Sequence, residues 1–141
     1  MCFYFKKDFG AQDFDSAQFA CESKFPYGSG QLFEPKSLSH LQQVKDKMTE
    51  RSMLNNVYLG IDDSANEGSY VYSSDGSPLV SDIESLIFVT NGCGSKNCDH
   101  LYLSSGNMLI TIWGTYNFVN LVCENAIPEG TFCILVLLFY N

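Results

Sequence analysis

The sequence predicts an α+β domain, on three observations. Before residue 56, two stretches repeat apolar residues at intervals of three and four, the period of a helix with one buried face: Phe14, Ala17, Ala20 and Cys21, then Leu38, Leu41, Val44 and Met48. After residue 56 the apolar residues fall in short β-branched and aromatic runs separated by turn residues, the pattern of strands and loops. No internal repeat and no linker divides the 141 residues, so the chain reads as one domain.

The elements follow in order. Phe3-Tyr4-Phe5 is a short opening strand, and Asp13 or Asp15 caps the first helix. That helix stops before the turn-rich Phe25-Pro26-Tyr27-Gly28-Ser29-Gly30, and Gln31-Leu32-Phe33 is a link. Ser37 or Ser39 caps the second helix, with Leu38, Leu41, Val44 and Met48 facing inward and Asn55-Asn56 at its end. Val57-Tyr58-Leu59-Gly60-Ile61 is a strand that breaks into Asp62 and Asp63. Glu67-Gly68 and Asp75-Gly76 tolerate a positive φ and bracket Tyr70-Val71-Tyr72, so this stretch reads as strand, acidic loop, strand, turn. Further strands are expected over 86–89, 101–103, 108–113 and 120–123, with a loop over 91–99. The last apolar run, 131–140, is too short to span a bilayer, which takes about 20 residues. A final buried strand is its ordinary reading; a clipped membrane anchor and an artefact of gene prediction are the alternatives.

Composition narrows the function. Hydrophobic residues make up 45% of the chain and aromatic residues 14%, enough to fill a core. A net charge of −8 argues against nucleic acid and anionic membranes, which need a basic face. The 6 cysteines, at positions 2, 21, 93, 98, 123 and 133, form no paired zinc-finger set; an even, dispersed count in a short chain favours disulfides and an oxidising compartment, with cytosolic free thiols as the alternative. Met1-Cys2-Phe3-Tyr4-Phe5-Lys6-Lys7 is no signal peptide, so a secreted protein would have its leader outside this chain.

Taken together, several blocks resemble the C-type lectin-like domain. "CFYFKK" is similar to the opening cysteine-aromatic strand of that family, "DSAQFACES" to its first helix and "GQLFEPKSLSHLQQV" to the link into its second. "VYLGIDDSANEGSYVYSSDGSPL" resembles its strand-loop-strand block, and "FVNLVCE" its closing strand. The resemblance runs from Cys2 to Glu124 and implies a C-type lectin-like fold over residues 1–127, two helices packed on short antiparallel strands with a long loop region, followed by an apolar extension over 128–141. It also implies a secreted or extracellular, non-catalytic recognition module with a glycan or protein ligand.

For the cysteines, the resemblance implies a disulfide from Cys21 to Cys123. Cys98 stands where the third-strand cysteine belongs, but its expected partner is missing near 113–115 and Cys93 is the nearest substitute. Cys2 and Cys133 would then bridge the first and last strands. For the acids, it implies that Asp63 and Glu67 occupy two ligand positions of an auxiliary calcium site, with Asn97 where a third acid is expected and Asp82 and Glu84 as spare acids. This would be an incomplete half-site for weakly held Ca²⁺; solvated turn acids are the alternative. The principal sugar-and-calcium site is missing: no proline lies between Pro78 and Pro128 to build its Glu-Pro-Asn tripeptide, and Met108-Leu109-Ile110-Thr111 offers no oxygen ligand before the threonine.

Other chemistries find less support. Cys93, Cys98 and His100 fall short of the four ligands of a structural zinc site, and a disulfide beside a surface histidine accounts for them. His40 belongs to the second helix, solvated near its first turn. No phosphate loop, Gly-x-Ser-x-Gly or His-Glu-x-x-His occurs, so no enzymatic activity is expected. Trp113 and Tyr116 are candidates for a ligand surface, since aromatic faces stack on sugars and anchor interfaces; with Phe118 they also suit the core.

Overall fold

The computed structural model describes residues 2–10, 12–25, 30–53, 56–90, 98–104, 109–112 and 118–125. Strand β1 (Cys2–Lys6) leads to helix α1 (Phe14–Glu22). Asp13, not Asp15, is the cap: its carboxylate accepts the Ser16 N–H at 2.8 Å. Asp15 sits in the first turn, where a negative charge meets the positive end of the helix dipole. Gln31-Leu32, expected as a link, is strand β2 (Gln31–Leu32). Two residues are too few to show a period, and pairing with the closing strand makes them extended.

Helix α2 (Leu38–Glu50) is capped by Ser37, whose hydroxyl accepts the His40 N–H at 3.1 Å. It ends earlier than Asn55-Asn56. Ser52 turns left-handed at φ 55, and the Met53 N–H closes back on the Met48 carbonyl at 2.8 Å. Leu41, Val44 and Met48 are buried as expected, but Leu38 is 48% exposed, because the first helical residue precedes the face that meets the sheet. His40 is half-buried rather than solvated, with its Nδ1 enclosed.

Six more strands and one short helix complete the described chain: β3 (Val57–Asp62), β4 (Val71–Tyr72), α3 (Ser81–Glu84), β5 (Ile87–Phe88), β6 (His100–Leu103), β7 (Leu109–Ile112) and β8 (Leu121–Asn125). Helix α3 corrects the expectation of strands and loops alone after residue 56. Its single turn is too short for a periodic signal and is anchored by buried Ile83. Gly68 and Gly76 adopt φ 82 and φ 72, the left-handed turns expected of them.

The strands form two sheets, β1-β8-β2 and β4-β3-β6-β7-β5. In the first, β8 is central and antiparallel to both neighbours, with Cys2 opposite Asn125 and Gln31 opposite Glu124. Its five residues are all buried. In the second, Val57 of β3 faces Leu103 of β6, and only the β5–β7 pair is parallel. One core joins α2 to the second sheet through Leu41, Val44, Leu59, Ile61, Leu101 and Leu103; the other joins α1 to the first through Phe14, Ala17, Leu32 and Leu121.

A disulfide between Cys21 and Cys123, both fully buried, pins α1 to β8. Cys2 and Cys98 are also disulfide-bonded, while Cys93 and Cys133 lie outside the described residues. So do Asn97, Trp113, Tyr116 and the extension over 128–141. Among the described residues no helix is long and apolar enough to cross a membrane.

Candidate functional site

Strand β3 carries the chain out of the core at Asp62 and into a tight loop. The Asp63 N–H bonds the Asp99 carbonyl at 3.1 Å, the Asn66 N–H returns to the Asp63 carbonyl at 3.0 Å, and the Ser69 N–H to that of Asn66 at 2.9 Å. These bonds fold the loop back on the entrance to β6. The carboxylates of Asp63, Glu67 and Asp99 then converge, one oxygen of each lying within 4.8 Å of the others.

The three acids are unequal. Asp63 is 1% exposed, Asp99 half-buried and Glu67 exposed. Asp63 Oδ2 accepts the Gly68 N–H at 2.7 Å, but its Oδ1 is buried and accepts no hydrogen bond. A buried carboxylate oxygen left without a donor is costly, and a cation at this point would satisfy it. Burial pushes the Asp63 carboxyl above the usual carboxylate range; the charges of Asp99 and Asp62 add to the push and the Gly68 bond opposes it. Glu67 is also raised, by loss of solvation and by Asp63 and Asp99. The Tyr70 phenol is pushed up to about 12 by burial and by the same three carboxylates. The loop is a patch of negative potential made of hard oxygen donors, which suits Ca²⁺ and offers nothing to a soft metal.

Asp62, next in sequence, is not part of this cluster. Its Oδ1 accepts from the Ser64 N–H and hydroxyl at 3.3 and 2.8 Å, and its Oδ2 from the Ser73 hydroxyl at 2.7 Å. Asp82 and Glu84, the spare acids of the sequence, lie on α3 and do not join the three. Asp99 was missed. The available signal was its position immediately after Cys98, at the mouth of the strand that pairs with β3.

His100 is half-buried rather than exposed at the surface. Its ring stacks on Phe14 with centroids 3.7 Å apart, its Nδ1 is buried, and burial lowers its pKa. With Cys98 held in a disulfide, its thiolate is unavailable as a zinc ligand. Phe118 packs on Tyr58 and Tyr102 at 4.7 and 5.2 Å, which assigns it to the core. Thr111, on the strand that would follow a principal sugar site, is 1% exposed, and its hydroxyl accepts the Thr90 N–H at 3.0 Å.

No protein-family model matches the chain, and no characterised protein matches it by sequence. Solved structures do. The cow C-type carbohydrate-recognition domain of CD23 matches with a TM-score of 0.62 at 19% identity, over 90% of this chain and 89% of that one. The human scavenger receptor C-type lectin carbohydrate-recognition domain matches at 0.61 and 16%, over 87% and 91%. The C-type lectin CEL-I from Cucumaria echinata matches at 0.62 and 13%, over 87% and 89%. The chain therefore has the C-type lectin-like fold, a divergent version of it, with the carboxylate cluster on the loop between β3 and β4.

Proposed function

We propose that this domain is a non-catalytic, extracellular recognition module that binds carbohydrate without the principal calcium-dependent sugar site. The observation that carries the reading is the fold, shared over about nine tenths of the chain with carbohydrate-recognition domains, one of them solved in the presence of a GlcNAc2Man3 oligosaccharide. A disulfide through the core fits an oxidising compartment. The principal site is left out because its tripeptide is missing from the sequence and the only side-chain oxygen on β7 is turned to Thr90. A second reading, a protein ligand on the same long-loop surface, is favoured by Phe88 and Val89, which are 49% and 52% exposed at the edge of the second sheet. A glycan array run with and without chelator tests both. Glycan binding that survives chelation is the expected result; binding abolished by chelator would overturn the account of the principal site, and no glycan signal would favour the protein ligand.

The Asp63, Glu67 and Asp99 cluster is proposed as an auxiliary Ca²⁺ half-site that braces the loop. Three carboxylates and few further donors imply weak binding, with Kd on the order of 10⁻⁴–10⁻³ M, as in extracellular modules. Ca²⁺ bound only by the folded state would stabilise it by mass action. In millimolar CaCl₂ the melting temperature should rise relative to EDTA, and the rise should vanish in the double variant Asp63→Asn, Glu67→Gln. Equal melting in the two buffers would mean that these are turn acids only.

A further inference from the structure

Two carboxylates outside the acidic loop are each 1% exposed: Glu34, just after β2, and Glu124 on β8. Glu124 Oε1 accepts from Gln31 Nε2 at 3.0 Å and from the Glu34 N–H at 3.1 Å, while its Oε2 is buried without a partner. Glu34 clamps the turn after β4: its Oε2 accepts the Ser74 N–H at 2.8 Å and its Oε1 the Ser74 hydroxyl at 2.7 Å. The space is tight. A Cβ at Gly60 would fall 2.7 Å from Glu34 Cγ, so the bare glycine of β3 leaves the room that this side chain fills.

The surrounding charges do not balance the pair. Lys36 Nζ lies 3.3 Å from Glu34 Oε1 and also 3.3 Å above the Tyr72 ring; it pairs with Glu34, and its charge opposes the rise of the Glu124 carboxyl without overcoming burial. Across from Glu124, β2 presents the neutral Gln31 and β1 presents Phe3. The Tyr72 phenol of β4 donates to the Pro35 carbonyl at 2.7 Å, and Asp75 in the turn adds a further negative charge. Two enclosed carboxylates facing one cation cannot both ionise without repulsion in a poorly screened site.

We propose that Glu34 and Glu124 form a proton-operated latch: while Glu124 keeps its proton, Glu34 holds the turn after β4 against the seam between β2 and β8, and loss of that proton loosens the turn. The Ser74 clamp gives way first because it is only half-buried and joins a short turn, whereas β8 is held on both edges. Burial, reinforced by the charge of Glu34, pushes the Glu124 carboxyl up to about 7. The latch is separate from the acidic loop and needs no cation there, although Ser73 in the same turn is bonded to Asp62.

The test is amide hydrogen exchange on the native chain and on Glu124→Gln, between about pH 5 and about pH 9, the span over which a raised carboxyl titrates. Rates are expressed as protection factors, which removes the intrinsic pH dependence. Protection at the Ser74 amide should fall by about tenfold or more across the titration, the effect of one pKa unit of coupling, and with little dependence on denaturant, the mark of a local opening, whereas the β6 amides exchange through global unfolding. In Glu124→Gln the fall should disappear. Should that variant not fold, Glu34→Gln is read in its place: it lowers Ser74 protection throughout but removes the pH dependence. A flat Ser74 profile in the native chain, or an equal fall in either variant, overturns the latch. So does a Glu124 carboxyl that titrates in the ordinary carboxylate range by ¹³C NMR of the native chain.

Discussion

Replacing Cys21 and Cys123 together by alanine is expected to destabilise the domain by roughly 4–5 kcal/mol, the chain-entropy value for a cross-link across about a hundred residues. The bond joins positions 102 apart and ties the first helix to the central strand of the first sheet. Without it the unfolded chain regains the freedom to separate its two ends, while the folded chain loses only a buried contact. The figure is an upper one, because the disulfides of Cys2 and Cys98 also restrict the unfolded chain. Denaturant titration of the oxidised protein and the double variant measures it; a loss below about 1 kcal/mol would mean that the bond adds little to a fold already held by its two cores.

Stability is expected to fall as pH rises from about 4.5 to about 7 on account of Glu124. Its carboxyl titrates near 4.5 in the unfolded chain and at about 7 in the folded one. The folded state therefore holds a proton that the unfolded state has released. The stabilisation is complete below the lower value and is lost on passing the upper one, which amounts to about 3 kcal/mol. Other groups act in the same range. Asp63 has the same sign, since its carboxyl is also raised. His100 has the opposite sign: its buried ring resists the proton, so its contribution grows as pH rises toward 6.5, the ordinary histidine value. Asp13 and Asp75, lowered by their serine hydrogen bonds, also gain stability with pH, but only in the acidic range below the ordinary carboxylate value. The contribution of Glu124 is isolated by comparison with Glu124→Gln, whose amide oxygen still accepts from Gln31 and Glu34. The variant should be the more stable protein above neutrality and should lose that advantage near pH 5. Denaturation curves at both pH values decide it; parallel curves would mean that Glu124 titrates as an ordinary carboxyl.

Much of the frame was legible in the sequence. The stripes Phe14, Ala17, Ala20 and Leu41, Val44, Met48 place both main helices, and Asp13 and Ser37 begin them through side-chain bonds that reach only three residues. Gly68 and Gly76 mark their turns for the same local reason. The resemblance to the C-type lectin-like domain supplied the Cys21–Cys123 pair, which no spacing rule assigns. Element ends and very short elements were less legible. The second helix stops at Glu50, and β2 and α3 went unread, because a two-residue strand or a single helical turn takes its conformation from its neighbours.

The acids divide along the same line. Asp63 and Glu67 stood out together because they sit four apart on a loop that resembles the calcium-binding loop of the C-type lectin-like domain, and that reading needed no tertiary information. That Asp99 joins them while Asp82 and Glu84 do not depends on the pairing of β3 with β6. That Glu34 meets Glu124, 90 positions away, depends on the register of β2 against β8. Periodicity, capping and turn chemistry act within a few residues and are written along the chain. Sheet register is selected by burial summed over both cores, and a slip of one residue would turn every side chain of a strand to the other face. The chain by itself therefore determines its longer helices, its caps and its turns, while packing decides the shortest elements and brings together carboxylates that lie far apart in sequence.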